Sequence, residues 1–364
     1  MKKEKIINYL EELKPEIDKV IEKYLPKKVT KRWLEFTFGK PRYSFSQKAA
    51  QESLSKPIWE FLSRGGKRWR PALFLLLTEA IGGDVKKVKD FVVIPELIHE
   101  GTIIIDDIID RGELRRGKPC LHKIFGVDIA LNAGNFLYFL SLLALIKNQK
   151  KFEPEILNKA YQTYIQEMLN LGLGQGTDIF WAKPPHQIWS GAEIEEKEYL
   201  QMCVFKTGCL SRMAAKLAVI LSEGSEKLAE KLGQMAEAIG VAFQIQDDIL
   251  DITLAGKDRE KFGKVFGQDI KDGKRTLMVI HTLKKANPGD KKRLLEILNK
   301  QTDNLTEIKE AVGLIKKYGS PNYAKNLSQK IVSDTWQEVD KLLPESKAKK
   351  RLKSFISYLI KRKI

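Results

Sequence analysis

The sequence predicts an all-α fold of about a dozen helices around a central cavity, on three observations. Apolar residues recur with the 3.6-residue period of an α-helix through most of the 364 residues. Gly, Pro or polar residues separate these runs, and no pair of alternating strands is joined by a tight turn. The hydrophobic content of 43% and charged content of 30% suit a globular protein with a sizeable core. Because nothing marks a domain boundary, we expect a single domain, residues 1–364.

The N-terminal part, residues 1–50, should hold one helix followed by an irregular extension. A helical stripe of apolar residues runs from Ile6 to Leu25, with Pro15 as an expected interruption or restart. Residues 29–49 mix aromatic and basic side chains without a clean period, so we interpret them as irregular. The core of the predicted domain is residues 51–364. Its helical runs lie at about 51–63, 70–82, 86–110, 127–147, 153–173, 196–223, 226–254, 275–286, 290–300, 304–318, 321–342 and 346–361.

Targeting and redox signals favour a cytoplasmic protein. No stretch of 18 apolar residues is present, and residues 136–146 are short enough for a buried core helix. The first residues, MKKEKIINYLEEL, carry charges where a signal peptide needs its apolar segment. Cys120, Cys203 and Cys209 lack metal-ligand spacing, which favours a reducing compartment and thiols that behave as small apolar groups.

The net charge of +17 raises the question of a nucleic-acid partner. The lysines are spread through the chain, and there is no zinc finger, RNA-recognition signature or basic stripe with interleaved aromatics, so we expect no nucleic acid. A basic surface also attracts phosphorylated substrates and anionic lipid headgroups. The lysine-rich C-terminal end could therefore favour peripheral membrane contact, although a solvated final helix is the preferred interpretation.

Two acidic motifs carry the chemical signal. The segment IIIDDIIDRGELRRGKP places Asp106, Asp107 and Asp110 just before two arginines, and FQIQDDILD repeats the spacing from residue 243 to residue 251. On a helix, residues i and i+4 share a face, so each motif aims two carboxylates together with a third nearby. A single motif of this kind is usually a solvated helix face. Two copies in strongly apolar surroundings instead predict a carboxylate cage for hard divalent cations, and Mg²⁺ with a diphosphate substrate fits best.

Basic segments elsewhere supply groups that suit phosphate binding. GGKRWRP, residues 65–71, places Lys67 and Arg70 after a flexible diglycine near a predicted helix start. His99 lies two turns before Asp106 on the same predicted helix. Further along, the chain has Lys206-Thr207-Gly208 and then GKVFGQDIKDGK, residues 263–274. Each segment is weak evidence by itself, but their order and spacing together are specific.

From about residue 54 to the C-terminus, this set resembles the trans-type isoprenyl diphosphate synthases, the polyprenyl synthetase family, and most of all its geranylgeranyl diphosphate synthases. The shared motifs are GGKxxRP, both aspartate motifs, LRRGKP, GQGTDIFW, FKTG, FQxxDD and GKxxGxDIxxGK. The resemblance implies the all-α isoprenoid synthase fold with a deep helix-lined cavity, and a homodimer. It also implies Mg²⁺-dependent head-to-tail condensation of isopentenyl diphosphate (IPP) with dimethylallyl, geranyl or farnesyl diphosphate, releasing diphosphate.

Matched positions in the family imply a role for each residue. Metal ligands would be Asp106, Asp110 and Asp247, with Asp107, Asp248 and Lys274 also in the catalytic set. The allylic diphosphate would contact Arg115, Lys206 and Lys264, while Thr207 and Gln244 would face the nascent carbocation. The IPP diphosphate would be held by Lys67, Arg70, His99 and Arg116. No residue resembles a dedicated strong base, and in the family the released diphosphate is thought to take the final proton.

Product length is expected to depend on the helix before the first acidic motif. Going N-terminal from Asp106, Thr102, Gly101 and, about one further turn of 5.4 Å down, Ile98 should lie nearest the growing chain. Gly101 stands where short-chain members often carry a bulky aromatic residue, so we expect an open path and a C20 product, or a longer one if Phe136, Tyr138 or Phe139 sets the floor. On this hypothesis Gly101→Phe would plug the channel.

Two alternatives compete with this interpretation. A class I terpene cyclase shares the helical fold but typically replaces the second aspartate motif and needs no IPP site. A non-catalytic partner subunit of a prenyl synthase would have lost one of the aspartate motifs. This chain keeps both motifs and the basic set, so an active prenyltransferase is the favoured hypothesis.

Overall fold

The fold is almost entirely α-helical in the computed structural model, which describes residues 3–182, 194–254, 256 and 265–360. The first ten helices are α1 (Lys3–Tyr24), α2 (Lys31–Phe38), α3 (Gln47–Ala50), α4 (Lys56–Ser63), α5 (Trp69–Ala80), α6 (Val85–Val88), α7 (Val93–Ile109), α8 (Leu121–Phe125), α9 (Val127–Ser141) and α10 (Leu143–Asn148). The predicted all-α fold class is confirmed.

From residue 154 onward the described helices are α11 (Pro154–Ala182), α12 (Glu196–Cys203), α13 (Cys209–Ile220), α14 (Glu226–Thr253), α15 (Gln268–Lys271), α16 (Leu277–Lys285), α17 (Pro288–Lys300), α18 (Leu305–Lys317), α19 (Ser320–Asp340) and α20 (Lys347–Ile360). Short π-helical segments occupy Gln51–Ser55 and Val204–Gly208, and 3₁₀ turns occupy Lys89–Val92 and Gln149–Lys151.

Backbone contacts group the chain into two compact units. The first contains Met1–Gln162, Ala214–Ala229 and Pro344–Ser354, and the second contains Thr163–Met213, Glu230–Leu343 and Phe355–Ile364. The expectation of one domain over residues 1–364, with a core from residue 51, stays a prediction.

Helix α7 is the central element of the first unit. This helix buries many of its apolar side chains and also Glu96, Glu100 and Asp107, which is unusual because a buried carboxylate requires a compensating partner. It packs along α9 at a close crossing of two glycines: a Cβ on Gly101 would lie 2.7 Å from the carbonyl oxygen of Gly134. Glycines at both positions therefore let the two backbones approach.

In the second unit, an apolar core joins α14 to α12, α16, α17 and α18. Its buried members include Ile245 and Ile249 of α14, Leu277 and Ile280 of α16, and Leu294 of α17. These side chains recur at helical spacing, as the sequence pattern predicted. The packing fixes the face of α14 that carries the second acidic motif.

Three local predictions were wrong. Residues 31–38 form helix α2 rather than an irregular segment, because Thr30 caps its first turn, accepting a hydrogen bond from the backbone N–H of Trp33, and Gly39 ends it with a φ of 78°. Helix α1 also continues through Pro15 without a break. A two-stranded antiparallel hairpin, β1 (Leu114–Arg115) and β2 (Lys118–Pro119), follows α7, although no hairpin was expected.

One helical stretch in the described chain, Val127–Lys151, is long and apolar enough to cross a membrane by length and composition. Half of its most apolar window is buried inside the protein. The expectation that residues 136–146 form a buried core helix holds only in part, because Phe139 is 72% exposed and Ile146 is 48% exposed.

Candidate active site

The first acidic motif lies at the C-terminal end of α7, and its aspartates lie in two different environments. Asp106 and Asp110 are half-buried and four residues apart, hence on one face. Asp107 is 2% exposed, and its Oδ1 accepts a hydrogen bond from Arg115 Nε at 2.7 Å and forms an ion pair with Nη2 at 2.5 Å. Burial raises the pKa of Asp107, while the guanidinium of Arg115 opposes the shift. Asp107 therefore positions Arg115.

No group of three or more His, Cys, Asp or Glu side chains is arranged as a metal site among the described residues. The donor chemistry of α7 nevertheless suits a hard divalent cation. Mg²⁺ commonly takes one or two carboxylates and completes its octahedron with water and substrate phosphates. Asp106 and Asp110, half-buried on one helix face, could supply those two carboxylates.

The hairpin after α7 presents Arg116. Strands β1 and β2 pair Leu114 with Pro119 and Arg115 with Lys118, so Arg116 and Gly117 form a two-residue loop. Both have positive φ, 53° and 73°, which is the type I′ geometry that matches the twist of a hairpin. The Arg116 guanidinium donates to the carbonyl oxygen of Gly65 at 2.6 Å. This turn brings Arg116 to the diglycine segment. Neither LRRGKP nor GGKRWRP alone had predicted this contact.

The diglycine segment leads into α5 and is followed by three basic residues, two of which were singled out from the sequence. Lys67 is exposed, whereas Arg70 is 3% exposed and lies 4.4 Å from the ring centre of Trp69. Arg68 is also buried; it stands at the N-cap of α5 with a φ of 46° and binds carboxylates of α1 and α7. Arg68 is thus a structural cation. The roles of Lys67 and Arg70 at IPP stay predictions.

His99 lies on α7 among cations. Burial lowers its pKa well below the ordinary value, and Arg70, Arg116, Arg68 and Arg115 lower it further. The imidazole is therefore neutral at pH 7. A neutral imidazole has one N–H group to donate to a phosphate oxygen and adds no charge to the cluster.

The carboxylates of the second acidic motif, on α14, also differ in burial and in partners. Asp247 is half-buried, whereas Asp248 is 6% exposed and accepts hydrogen bonds from Tyr199 Oη at 2.9 Å and Gln244 Nε2 at 2.8 Å. Asp251 is fully buried, and its carboxylate accepts the backbone N–H groups of Gln268 and Asp269 at 3.3 and 3.1 Å. Asp251 therefore anchors the turn that starts α15 and is not placed as an open metal ligand.

The Lys206-Thr207-Gly208 segment forms a π-helical bulge between α12 and α13. Such bulges occur often at functional sites, because the extra residue redirects side chains. Thr207 Oγ1 donates to Gln244 Oε1 at 3.0 Å, and Lys206 Nζ pairs with Asp178 of α11 at 2.5 Å. Gly174 makes room for the bulge, since a Cβ there would lie 2.3 Å from the backbone nitrogen of Lys206.

Thr207, Gln244, Asp248 and Tyr199 thus form one hydrogen-bonded chain. Because Asp248 takes the amide N–H of Gln244, the amide oxygen of Gln244 faces Thr207. The sequence assigned no role to Tyr199, Asp178 or Glu100, although Asp178 lies in the motif GQGTDIFW. The partner of each is distant along the chain, so spacing alone did not indicate the contact. Lys274 is half-buried after α15. Lys264 lies outside the described residues.

The chain-length hypothesis requires a correction at Gly101. The space that its missing side chain was expected to leave open is occupied by α9, because a Cβ on Gly101 would lie 3.0 Å from Tyr138 Cε1 as well as 2.7 Å from the Gly134 oxygen. Gly101→Phe would therefore disrupt the α7–α9 packing and would not plug a channel. Phe139 is exposed and sets no floor. Thr102 is half-buried, Ile98 is fully buried, and their roles stay predictions.

The chain is similar to known proteins over most of its length. The polyprenyl synthetase family profile matches residues 51–315. The geranylgeranyl diphosphate synthase of Methanosarcina mazei is 34% identical over 85% of this chain and 90% of its own length. The crystal structure of geranylgeranyl pyrophosphate synthetase from Pyrococcus horikoshii superposes with a TM-score of 0.84 and 30% identity, covering 100% of both chains.

A polyprenyl synthase from Caulobacter crescentus, complexed with calcium and isoprenyl diphosphate, shares the fold with a TM-score of 0.81. It is 18% identical, and the superposition covers 100% of this chain and 98% of that one. The prediction of an isoprenoid synthase fold and of a trans-prenyltransferase is confirmed by the family profile together with the relatives of 30% identity and more. This chain belongs to the polyprenyl synthetase family.

Proposed function

We propose that this enzyme condenses IPP with allylic diphosphates in a Mg²⁺-dependent reaction and that its final product is geranylgeranyl diphosphate (C20). The observation that carries the proposal is the family match over residues 51–315 in a chain that keeps both acidic motifs. The names of the Methanosarcina and Pyrococcus relatives support the C20 product. The calcium in the Caulobacter structure supports a divalent cation, and the carboxylate oxygens favour Mg²⁺.

The proposed metal ligands are Asp106, Asp110 and Asp247. A bound Mg²⁺ would neutralise charge that develops on the leaving diphosphate. Arg115 and Lys206 are held by Asp107 and Asp178, and we assign them to the same diphosphate. Paired in this way, the two cations are preorganised before the substrate arrives.

Carbocation stabilisation is assigned to the hydrogen-bonded chain at the π-helical bulge. Because the Thr207 hydroxyl donates its hydrogen bond to Gln244, the lone pairs of the Thr207 oxygen remain available to face a positively charged carbon. IPP binding is assigned to Lys67, Arg70, His99 and Arg116. Neutral His99 can donate one hydrogen bond to the diphosphate while the three cations supply the charge.

The test is incorporation of labelled IPP by the purified protein with dimethylallyl, geranyl or farnesyl diphosphate as primer. Chromatography of dephosphorylated products should show a C20 alcohol from each primer, and EDTA should abolish incorporation. No incorporation with any primer would refute the prenyltransferase and favour a non-catalytic subunit. A cyclic hydrocarbon formed without IPP would favour the terpene cyclase.

Product length is proposed to depend on Thr102, which shares a helix face with Asp106 and carries a small side chain. Thr102→Phe should shift the product from C20 toward C15 while the first condensation continues. A wild-type product that ends at C15, or an unchanged C20 product in Thr102→Phe, would contradict this assignment.

We also propose a homodimer, supported by exposed apolar side chains at helical spacing on two helices. On α11, Ile165, Leu169 and Leu173 are 56%, 65% and 61% exposed. On α9, Val127 and Leu131, four residues apart, are 53% and 41% exposed. Apolar surfaces of this kind commonly mark protein interfaces. Light scattering should give twice the 41.6 kDa chain mass, and a mass of one chain would refute the dimer.

Peripheral membrane contact and a cytoplasmic location are kept as further proposals. Contact with membranes would come from the basic residues of the C-terminal end. Cosedimentation with anionic vesicles at low salt is the test, and a protein that stays in the supernatant would refute the contact.

A further inference from the structure

Two glutamates are buried side by side on the face of α7 that precedes the first acidic motif. Glu96 is 3% exposed and Glu100 is fully buried, and the spacing of four residues places them on adjacent turns. Burying two carboxylates is costly unless cations and hydrogen-bond donors compensate them. Their partners therefore indicate what the pair does.

Glu100 binds two arginines through one oxygen. Its Oε1 accepts from Arg68 Nη1 at 2.7 Å and from Arg116 Nη2 at 3.0 Å. Glu96 binds only the first of these arginines, through its Oε1 at 2.7 Å from Arg68 Nη1. Among the described residues, Glu100 is thus the carboxylate that connects the buried cation Arg68 to the proposed IPP ligand Arg116.

The contacts of Arg116 fix its guanidinium from several sides. Nη2 is held by Glu100, Nη1 by the carbonyl oxygen of Gly65, and the group lies 5.0 Å from the ring centre of Phe61. Gly66 leaves room for this approach, since a Cβ there would lie 3.5 Å from Arg116 Nη2 and 3.2 Å from Arg68 Nη1. A guanidinium has five N–H groups, and the Arg116 side chain is 21% exposed, so donors remain for a ligand.

We propose that Glu100 is a positioning residue for IPP binding. Glu100 holds the guanidinium of Arg116 beside the diglycine turn, so that the remaining N–H groups of Arg116 are directed to the diphosphate. The inference rests on the proposed function, in which Arg116 binds IPP. An arginine held in this way loses less rotamer freedom when a diphosphate binds, which strengthens binding.

Charge and positioning predict opposite results for Glu100→Gln. Removal of a negative charge beside a diphosphate site would by itself strengthen anion binding and lower the KM for IPP. Loss of the carboxylate would instead leave the guanidinium groups of Arg68 and Arg116 to repel each other, with one neutral amide oxygen between them. If positioning dominates, the KM for IPP rises.

Glu96→Gln is the matched control. It removes a carboxylate from the same helix face and the same Arg68, but it does not touch Arg116. Burial raises the pKa of Glu96 to about 7 against the pull of Arg68, and Glu100 adds to the rise, so a neutral amide is a mild replacement. Effects that arise from Arg68 alone should appear equally in both variants.

The experiment measures the KM for IPP at saturating primer, the KM for farnesyl diphosphate and kcat, with thermal unfolding as a check of folding. Glu100→Gln should raise the KM for IPP about tenfold, equivalent to ~1.4 kcal/mol, with the primer KM and kcat changed less than about threefold. Glu96→Gln should change the KM for IPP less than about threefold. An unchanged or lower KM in Glu100→Gln, or equal rises in both variants, would overturn the proposal.

A double-mutant cycle tests whether Glu100 acts through Arg116. In an Arg116→Ala background, Glu100→Gln should add less than about twofold to the KM for IPP. A full tenfold effect in that background would overturn the assignment. If wild-type protein incorporates no IPP, the proposed function fails separately, and the dissociation constants of inorganic diphosphate for wild type and Glu100→Gln then test the positioning role directly.

Discussion

Replacing Gly101 with alanine should destabilise the crossing of α7 and α9. The added Cβ would lie 2.7 Å from the backbone oxygen of Gly134, and 3.0 and 3.2 Å from Tyr138 Cε1 and Leu137 Cβ. To restore ordinary contact, the helices must separate by roughly 0.7 Å, an overpacking that costs ~1–3 kcal/mol. Alanine gains up to ~1 kcal/mol over glycine in a helix, which offsets part of this cost. We expect a net loss of about 1–2 kcal/mol.

Gly313→Ala is the control for this prediction. Gly313 lies inside helix α18, is exposed, and has no atom within 4 Å of a Cβ position. Alanine there should stabilise the protein by about 0.5–1 kcal/mol through helix propensity alone. Thermal unfolding at equal protein concentration should therefore place the melting temperature of Gly101→Ala below that of wild type and Gly313→Ala at or above it.

A Gly101→Ala protein as stable as Gly313→Ala would refute the close approach of α7 and α9. In that case Gly101 would face open space, and the chain-length hypothesis drawn from the sequence would return. Chromatography of the products of the same variant gives an independent check, because a packing defect lowers yield and stability without a specific shift toward C15.

Two further predictions concern buried polar groups. Tyr199→Phe removes the hydroxyl that donates a hydrogen bond to Asp248. Because Asp248 belongs to the hydrogen-bonded chain assigned to carbocation stabilisation and is not an IPP ligand, kcat should fall about tenfold while the KM for IPP is unchanged. A raised KM for IPP with normal kcat would contradict this. The lowered pKa of His99 means that the unfolded chain takes up this proton before the folded one, so His99 should lower the free energy of unfolding by up to about 1.4 kcal/mol per pH unit below pH ~6.5. Glu96, with its pKa raised to about 7, contributes the opposite slope in the same range, so the test is the difference between two proteins. In denaturant titrations from pH 7.5 to 5, wild type should lose more stability per pH unit than His99→Gln, and equal slopes would contradict the assignment.

Helical periodicity was sufficient to predict the fold class and most long helices, because those helices bury one apolar stripe. It failed for α2, which depends on a Thr30 cap and a Gly39 stop instead of a repeated stripe. It also failed for the hairpin at Arg116, since arginine is an unusual residue for a position with positive φ. Such turns are decided by tertiary contacts, here with Gly65.

The candidate site, like the fold, was predicted only in part from the sequence. Residue types and spacing located both acidic motifs, but spacing treats the aspartates of each motif alike. The structure distinguishes them by burial and partners: Asp107 holds Arg115, and Asp251 holds the turn before α15. Glu100 was beyond the sequence for a related reason, because its importance comes from Arg68 and Arg116, which lie 32 and 16 residues away.

The most direct test of the account compares the last aspartate of each motif. Asp110 and Asp251 occupy equivalent sequence positions, but Asp110 is half-buried at the end of α7, whereas Asp251 is fully buried and accepts two backbone hydrogen bonds. The measurement is the Mg²⁺ concentration that gives half-maximal IPP incorporation, together with the melting temperature, in Asp110→Asn and Asp251→Asn.

Asp110→Asn should raise the half-saturating Mg²⁺ concentration at least about tenfold with little change in melting temperature, because a metal ligand is weakened. Asp251→Asn should leave the Mg²⁺ dependence within about twofold of wild type and lower the stability by about 1.5–3 kcal/mol, the usual cost of hydrogen bonds to a charged group. The reverse pattern, a stable Asp251→Asn enzyme with weakened Mg²⁺ dependence beside an unaffected Asp110→Asn enzyme, would contradict the division of roles on which the account rests.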